Sequence, residues 1–134
     1  MPQTKVRWVS GHQFVGMDSR NQAAVLSGEE KGGGVSPSEM LLIAMSSCSA
    51  SDMVDIMKKK RKPLTTLEIV ATGERDPAPP WAYRKIHLLY RVSGGNLTEK
   101  AVSQAIELSL NKYCSVAATV RGVADISSDF EILA

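Results

Sequence analysis

The chain has 134 residues, 43% of them hydrophobic and 22% charged. That is the composition of a soluble globular protein, not of a disordered chain. Its 16 basic residues against 14 acidic ones leave a net charge of +2, too little for the basic patch of a dedicated nucleic-acid binder. The longest apolar run, Met40 to Met45, has six residues, well short of the ~18 that cross a bilayer. The first ten residues are polar and charged, with no signal-peptide core. These features lead to the expectation of a cytoplasmic protein, organised as a single domain over 1–134, that engages neither nucleic acid nor membrane.

In chain order, the first third reads as strand and turn. Lys5 to Val9, Phe14 to Met17 and Ala23 to Leu26 are short apolar stretches separated by Ser10-Gly11 and by Asp18 to Asn21. Ser27 to Val35 is Gly-rich, but no Gly-Lys-Ser/Thr follows, so it is not a phosphate loop. Ser36-Pro37-Ser38-Glu39 is a helix start, with a capping serine, a proline at the first position and a glutamate to complete the box. The helix is predicted over about 37–60, apolar on nearly all sides in its first half and therefore buried. Lys58 to Arg61 suits the C-terminal dipole, and Pro63 ends the helix.

Thr65 to Glu74 and Lys85 to Val92 alternate in polarity and predict an antiparallel hairpin joined by Asp76 to Pro80. Asn96 and Glu99 resemble a second capping box before a helix over about 97–113. A short helix over 115–121 and a closing strand over 125–133 complete the pattern. Strands, long helix, hairpin, helix and strand make an α+β fold, with helices on one side of antiparallel sheet.

The residues able to do redox chemistry are two cysteines, Cys48 inside the long helix and Cys114 where the second helix breaks. They are not a CxxC pair, and a structural disulfide is not expected in a reducing compartment. A cysteine at a helix N-terminus, as Cys114 is predicted to be, feels a positive dipole that lowers its pKa. Two such thiols permit a peroxidatic and a resolving role; a buried structural role for Cys48 is the alternative. Glu39 points about 180° away from Cys48 on an ideal helix and is read as a cap. Asp52 and Asp55 share the Cys48 face, where anions oppose a thiolate unless a cation offsets them. Arg20, Lys31 and Arg121 are the candidate cations. His12 and His87, the two histidines, lack metal-ligand spacing; His87 is predicted on a solvated strand face.

The stretch Ser36 to Asp55 resembles the OsmC/Ohr superfamily, the osmotically inducible and organic hydroperoxide resistance proteins. The resemblance rests on Pro37 with a helical Cys48 eleven residues later. It also rests on Cys114 within Lys-Tyr-Cys-Ser-Val and on the glycines at 32–34. Ser38 directly after the proline and the absence of an arginine at Gly11-His12 depart from the family's peroxidases, and the Pro-x-Glu form of Pro37 to Glu39 and the Cys-Ser-x-x-Asp run to Asp52 bring it closest to the YhfA-like branch. The resemblance implies an OsmC-like domain with a long central helix, a second helix and antiparallel sheets, in an interlaced homodimer. It also implies a cysteine-based peroxidase that reduces organic hydroperoxides in oxidative-stress defence, without metal or flavin cofactor. Cys48 would become a sulfenic acid, Cys114 would resolve it to a disulfide, and a dithiol reductant would reopen that bond. Glu39 and Arg20 stand nearest the family's activating positions. The rival expectation is an OsmC-like dimer that binds a small molecule or senses redox state without turnover.

Overall fold

The structure, a computed structural model, describes all residues from 1 to 134. The chain forms two compact units, Met1–Leu41 and Leu42–Ala134. The first is a meander of β1 (Lys5–Ser10), β2 (Gln13–Met17) and β3 (Ala23–Ser27), with both pairings antiparallel. Its turns follow the sequence signals: Gly11 has φ +53° and Asn21 φ 62°, left-handed values that glycine and asparagine tolerate. The Gly-rich loop is a close-packing device. Gly34 lies over the Leu26 backbone, where a Cβ would stand 2.7 Å from the carbonyl carbon, and Val35 bridges Leu26 in parallel beside it.

The helix α1 spans Pro37–Lys59. The Ser36 carbonyl accepts the Met40 N–H at 2.8 Å, and the Ser36 hydroxyl lies 3.2 Å from that of Ser38. The expectation of burial on all sides is corrected. Met45, Ser49, Met53 and Met57 form one buried stripe at four-residue spacing, while Leu41 and Ile43 are exposed. By length and mean hydropathy α1 is long and apolar enough to cross a membrane, a test that the core helix of a soluble protein also passes. Small residues with few charges keep the average high although no uninterrupted apolar run exceeds six residues.

In the second unit β4 (Leu64–Arg75) and β5 (Tyr83–Gly94) form the predicted antiparallel hairpin. The last strand, β6 (Asp125–Ile132), pairs with β5 in parallel, from Lys85↔Asp125 to Val92↔Ile132, so the expectation of purely antiparallel sheets is corrected. Side-chain alternation is blind to strand direction. The direction comes from the connection, a helical crossover long enough to return the chain the same way. That crossover holds α2 (Glu99–Leu108), a π turn (Ser109–Tyr113) and α3 (Ser115–Val120). Thr98, rather than Asn96, caps α2, its hydroxyl accepting the Ala101 N–H at 3.2 Å. Ile86, Leu88, Tyr90 and Val92 on one face of β5 meet the α1 methionines and Val102, Ala105 and Ile106 of α2 in a single core. Arg91 bridges Glu68 on β4 and Glu131 on β6, crossing the exposed face of all three strands.

Candidate functional site: two unlike thiols over a buried hydroxyl chain

Cys48 lies on α1 one turn past Met45, and Cys114 is the N-cap residue of α3. The fold brings the two thiols close enough to act on each other's ionisation, although 66 positions separate them in the sequence. Both are free cysteines; Cys48 is half-buried and Cys114 buried. The Cys114 sulfur accepts the Ala117 N–H at 3.4 Å and lies 3.9 Å from the Met45 carbonyl. The Cys48 sulfur lies 4.0 Å from the Ser115 hydroxyl.

The two environments push the pKa values apart. For Cys48, burial opposes ionisation, but it is outweighed by the Val116 N–H, the Cys114 thiol, the Ser115 hydroxyl and the Ser115 N–H; its pKa falls below the ordinary thiol value. Cys114 moves the other way, to about 11, because of burial and because the neighbouring Cys48 thiol and its charge favour the protonated form. This inverts the sequence expectation, which assigned the lowered pKa to Cys114. The first N–H groups of α3 serve the cysteine across the gap as well as the one that caps them.

Beneath the thiols runs a chain of hydroxyls. Ser49 Oγ lies 2.6 Å from the Tyr90 hydroxyl and 2.7 Å from Ser109 Oγ, and all three side chains are fully buried. The Ser109 hydroxyl donates to Asp52 Oδ2 at 2.9 Å. A hydroxyl has one proton to give. With the Ser109 proton committed to Asp52, Ser49 must donate to Ser109, and Tyr90 must donate to Ser49. The chain therefore has one direction, ending on a carboxylate, and leaves no buried polar side chain unpaired. Burial pushes Tyr90 up to about 12.

The remaining sequence candidates fall elsewhere. Glu39 stands exposed in the first turn of α1. Arg20 is exposed in the β2–β3 turn, where its guanidinium pairs with Asp18 at 3.5 Å and its N–H bonds the same carboxylate. Arg121 donates to the Leu110 carbonyl. His87 is exposed on β5, with Nδ1 2.7 Å from the Ser127 hydroxyl. Sequence reasoning missed the roles of Ser49, Tyr90 and Ser109. Tyr90 on the inward face of a strand was the available signal, since a buried phenol needs a partner.

A family model described as OsmC-like protein matches residues 28–129. Protein YhfA of Escherichia coli K12 is 35% identical over 132 residues, covering 98% of each chain. The crystal structure of a hypothetical protein from Aquifex aeolicus VF5 superposes with a TM-score of 0.84 at 30% identity, over 100% of this chain and 98% of that one. The organic hydroperoxide resistance protein OhrB of Bacillus subtilis is similar in fold, with a TM-score of 0.64 at 11% identity over 98% of both chains. With three quarters of its length in the family match and a relative this similar end to end, the chain belongs to the OsmC-like protein family.

Proposed function

We propose that the protein is a thiol peroxidase that reduces organic hydroperoxides, with Cys48 as the attacking thiol and Cys114 as the resolving one. The observation that carries this reading is the pairing of a lowered, partly accessible Cys48 with a raised, buried Cys114 in contact with it. A peroxide-reducing cysteine must be a thiolate near neutral pH and must meet its substrate. A resolving cysteine must wait at hand without competing for that substrate.

The Cys48 thiolate attacks the O–O bond. The alkoxide leaves and takes a proton from water, and Cys48 is left as a sulfenic acid. Cys114 then attacks the Cys48 sulfur, its proton leaves with the hydroxyl as water, and the disulfide forms. The order is built in. Once Cys48 carries a neutral sulfenic acid, the charge that holds Cys114 up is gone, and burial alone opposes its ionisation. An external dithiol restores both thiols. Glu39 and Arg20 remain proposed accessories by family position alone.

The working unit is proposed to be a homodimer in a reducing, cytoplasmic setting. Support comes from apolar side chains left uncovered in the single chain, among them Val6 and Trp8 on β1 and Ile43 and Val54 on α1. Sedimentation at micromolar concentration tests this, and a monomer would reject it.

The decisive experiment follows intact mass and free-thiol count before and after one equivalent of cumene hydroperoxide. The expected result is loss of two hydrogens and both thiols, reversed by dithiothreitol. Cys48→Ser should abolish hydroperoxide consumption, and Cys114→Ser should accumulate sulfenic acid. Turnover that survives in Cys48→Ser rejects the reading.

A further inference from the structure

The Ser49–Ser109 hydrogen bond joins residues tied to both cysteines. Ser49 follows Cys48 in α1. Ser109 opens the π turn, and its carbonyl accepts the Cys114 N–H at 2.7 Å, closing that turn. Ser109 is thus held twice, by its carbonyl to Cys114 and by its hydroxyl to the Tyr90–Ser49–Ser109–Asp52 chain. A π turn inside a helical segment is a local irregularity that costs stability and needs outside support. Here the support is a buried bond to α1, in a place where both partners are fully enclosed and a broken bond would not be replaced by water.

We propose that the Ser49–Ser109 pair is a clasp that holds Cys114 toward Cys48, and so governs disulfide closure more than the first attack of Cys48. These serines are positioning residues and touch no substrate. The proposal rests on the assignment of Cys48 and Cys114 as a redox pair, and it refines that assignment. It distinguishes two steps that a general loosening of the fold would affect together. The directed chain adds a further requirement. Asp52 need only accept the Ser109 proton, which an amide oxygen also does.

The test uses oxidised glutathione in place of hydroperoxide. The Cys48 thiolate attacks one glutathione sulfur and displaces the other glutathione as a thiolate. Cys114 then loses its proton and displaces the second glutathione from the Cys48 sulfur, so one disulfide is reduced as another forms. Rapid quenching with mass spectrometry separates the two steps, and titration in glutathione buffers gives the effective concentration of the pair. In Ser109→Ala and in Ser49→Ala, closure and effective concentration should each fall about tenfold, the worth of one buried hydrogen bond. The first step should fall clearly less, because it needs only the Cys48 thiolate, which loses part of its support from residues 114–116, whereas closure needs the two sulfurs to meet. Asp52→Asn should close at nearly the wild-type rate. Unchanged closure in the alanine variants, or an equal fall in both steps, overturns the clasp. If Ser109→Ala does not fold, Ser49→Ala cuts the same bond from the other side and decides alone. A wild-type protein inert to hydroperoxide would reject the peroxidase while leaving the clasp to stand or fall on these rates.

Discussion

Cys114 and Cys48 act on each other's ionisation, and the same interaction that lowers the pKa of one raises that of the other. Thiolate absorbance followed against pH should therefore rise in two separate steps, the first below the ordinary thiol value and the second near 11. In Cys48→Ser the first step should vanish. The second should move down, because the neighbouring charge has gone and burial alone remains. A Cys114 step that stays near 11 in that variant would assign the whole shift to burial.

Buried neutral hydroxyl and thiol groups make the fold sensitive to alkali. Tyr90 moves from 10.0 to about 12, and Cys114 from 9.0 to about 11. Between those values the unfolded chain has released protons that the folded one keeps, so stability falls as pH rises. The Tyr90 contribution is fully present below pH 10 and is lost as pH climbs through about 12, on the order of 2–3 kcal/mol in all. The Cys114 loss has the same sign and starts near pH 9. Cys48, with its lowered pKa, acts oppositely: its contribution is present above the unfolded value of 9.0 and is lost as pH falls through its folded pKa. Urea unfolding across the alkaline range measures the balance. Tyr90→Phe should flatten the upper part of the fall.

Met53 is fully buried in the α1 stripe that the core closes over. Met53→Ala should cost about 2–5 kcal/mol, depending on how far the neighbours collapse into the space. Chemical denaturation reads this directly. A cost near zero would mean that the stripe is not packed as described.

Gly34→Ala should destabilise by about 1–3 kcal/mol, because its Cβ would press on the Leu26 backbone, which has nowhere to move. Gly95→Ala is the matched control. No heavy atom lies within 4 Å of a Cβ there, so the change should be neutral or stabilising by up to about 1 kcal/mol through the unfolded chain. Thermal melts of the two variants separate close packing from mere loop composition.

Much of this was legible in the sequence, for identifiable reasons. The strands of the β4–β5 hairpin alternate because one face meets a core, and Leu67, Ile69 and Ala71 are indeed the more buried set. The Ser-Pro start of α1 and the basic residues at its end mark a helix wherever they stand. The parallel pairing of β6 left no mark, since side-chain alternation reads the same in either direction. The contact of Cys48 with Cys114 was expected only through family resemblance, because no spacing rule joins thiols on separate elements. The hydroxyl chain was hidden differently. Ser49 looked like one of several small helix residues, and Ser109 like a gap between Leu108 and Leu110, until burial made their hydroxyls partners.

The π turn has a consequence for how this segment tolerates change. Its closing bond runs from Cys114 back five residues to Ser109, where an α-helix would reach back four. Shortening residues 109–113 by one would let the segment relax into regular helix and swing Cys114 about 100° around the axis, away from Cys48. Side chains such as the exposed Asn111 and Lys112 are free to drift. The number of residues between Ser109 and Cys114 is not, and a lineage that gained or lost one there would keep both cysteines while losing their meeting point.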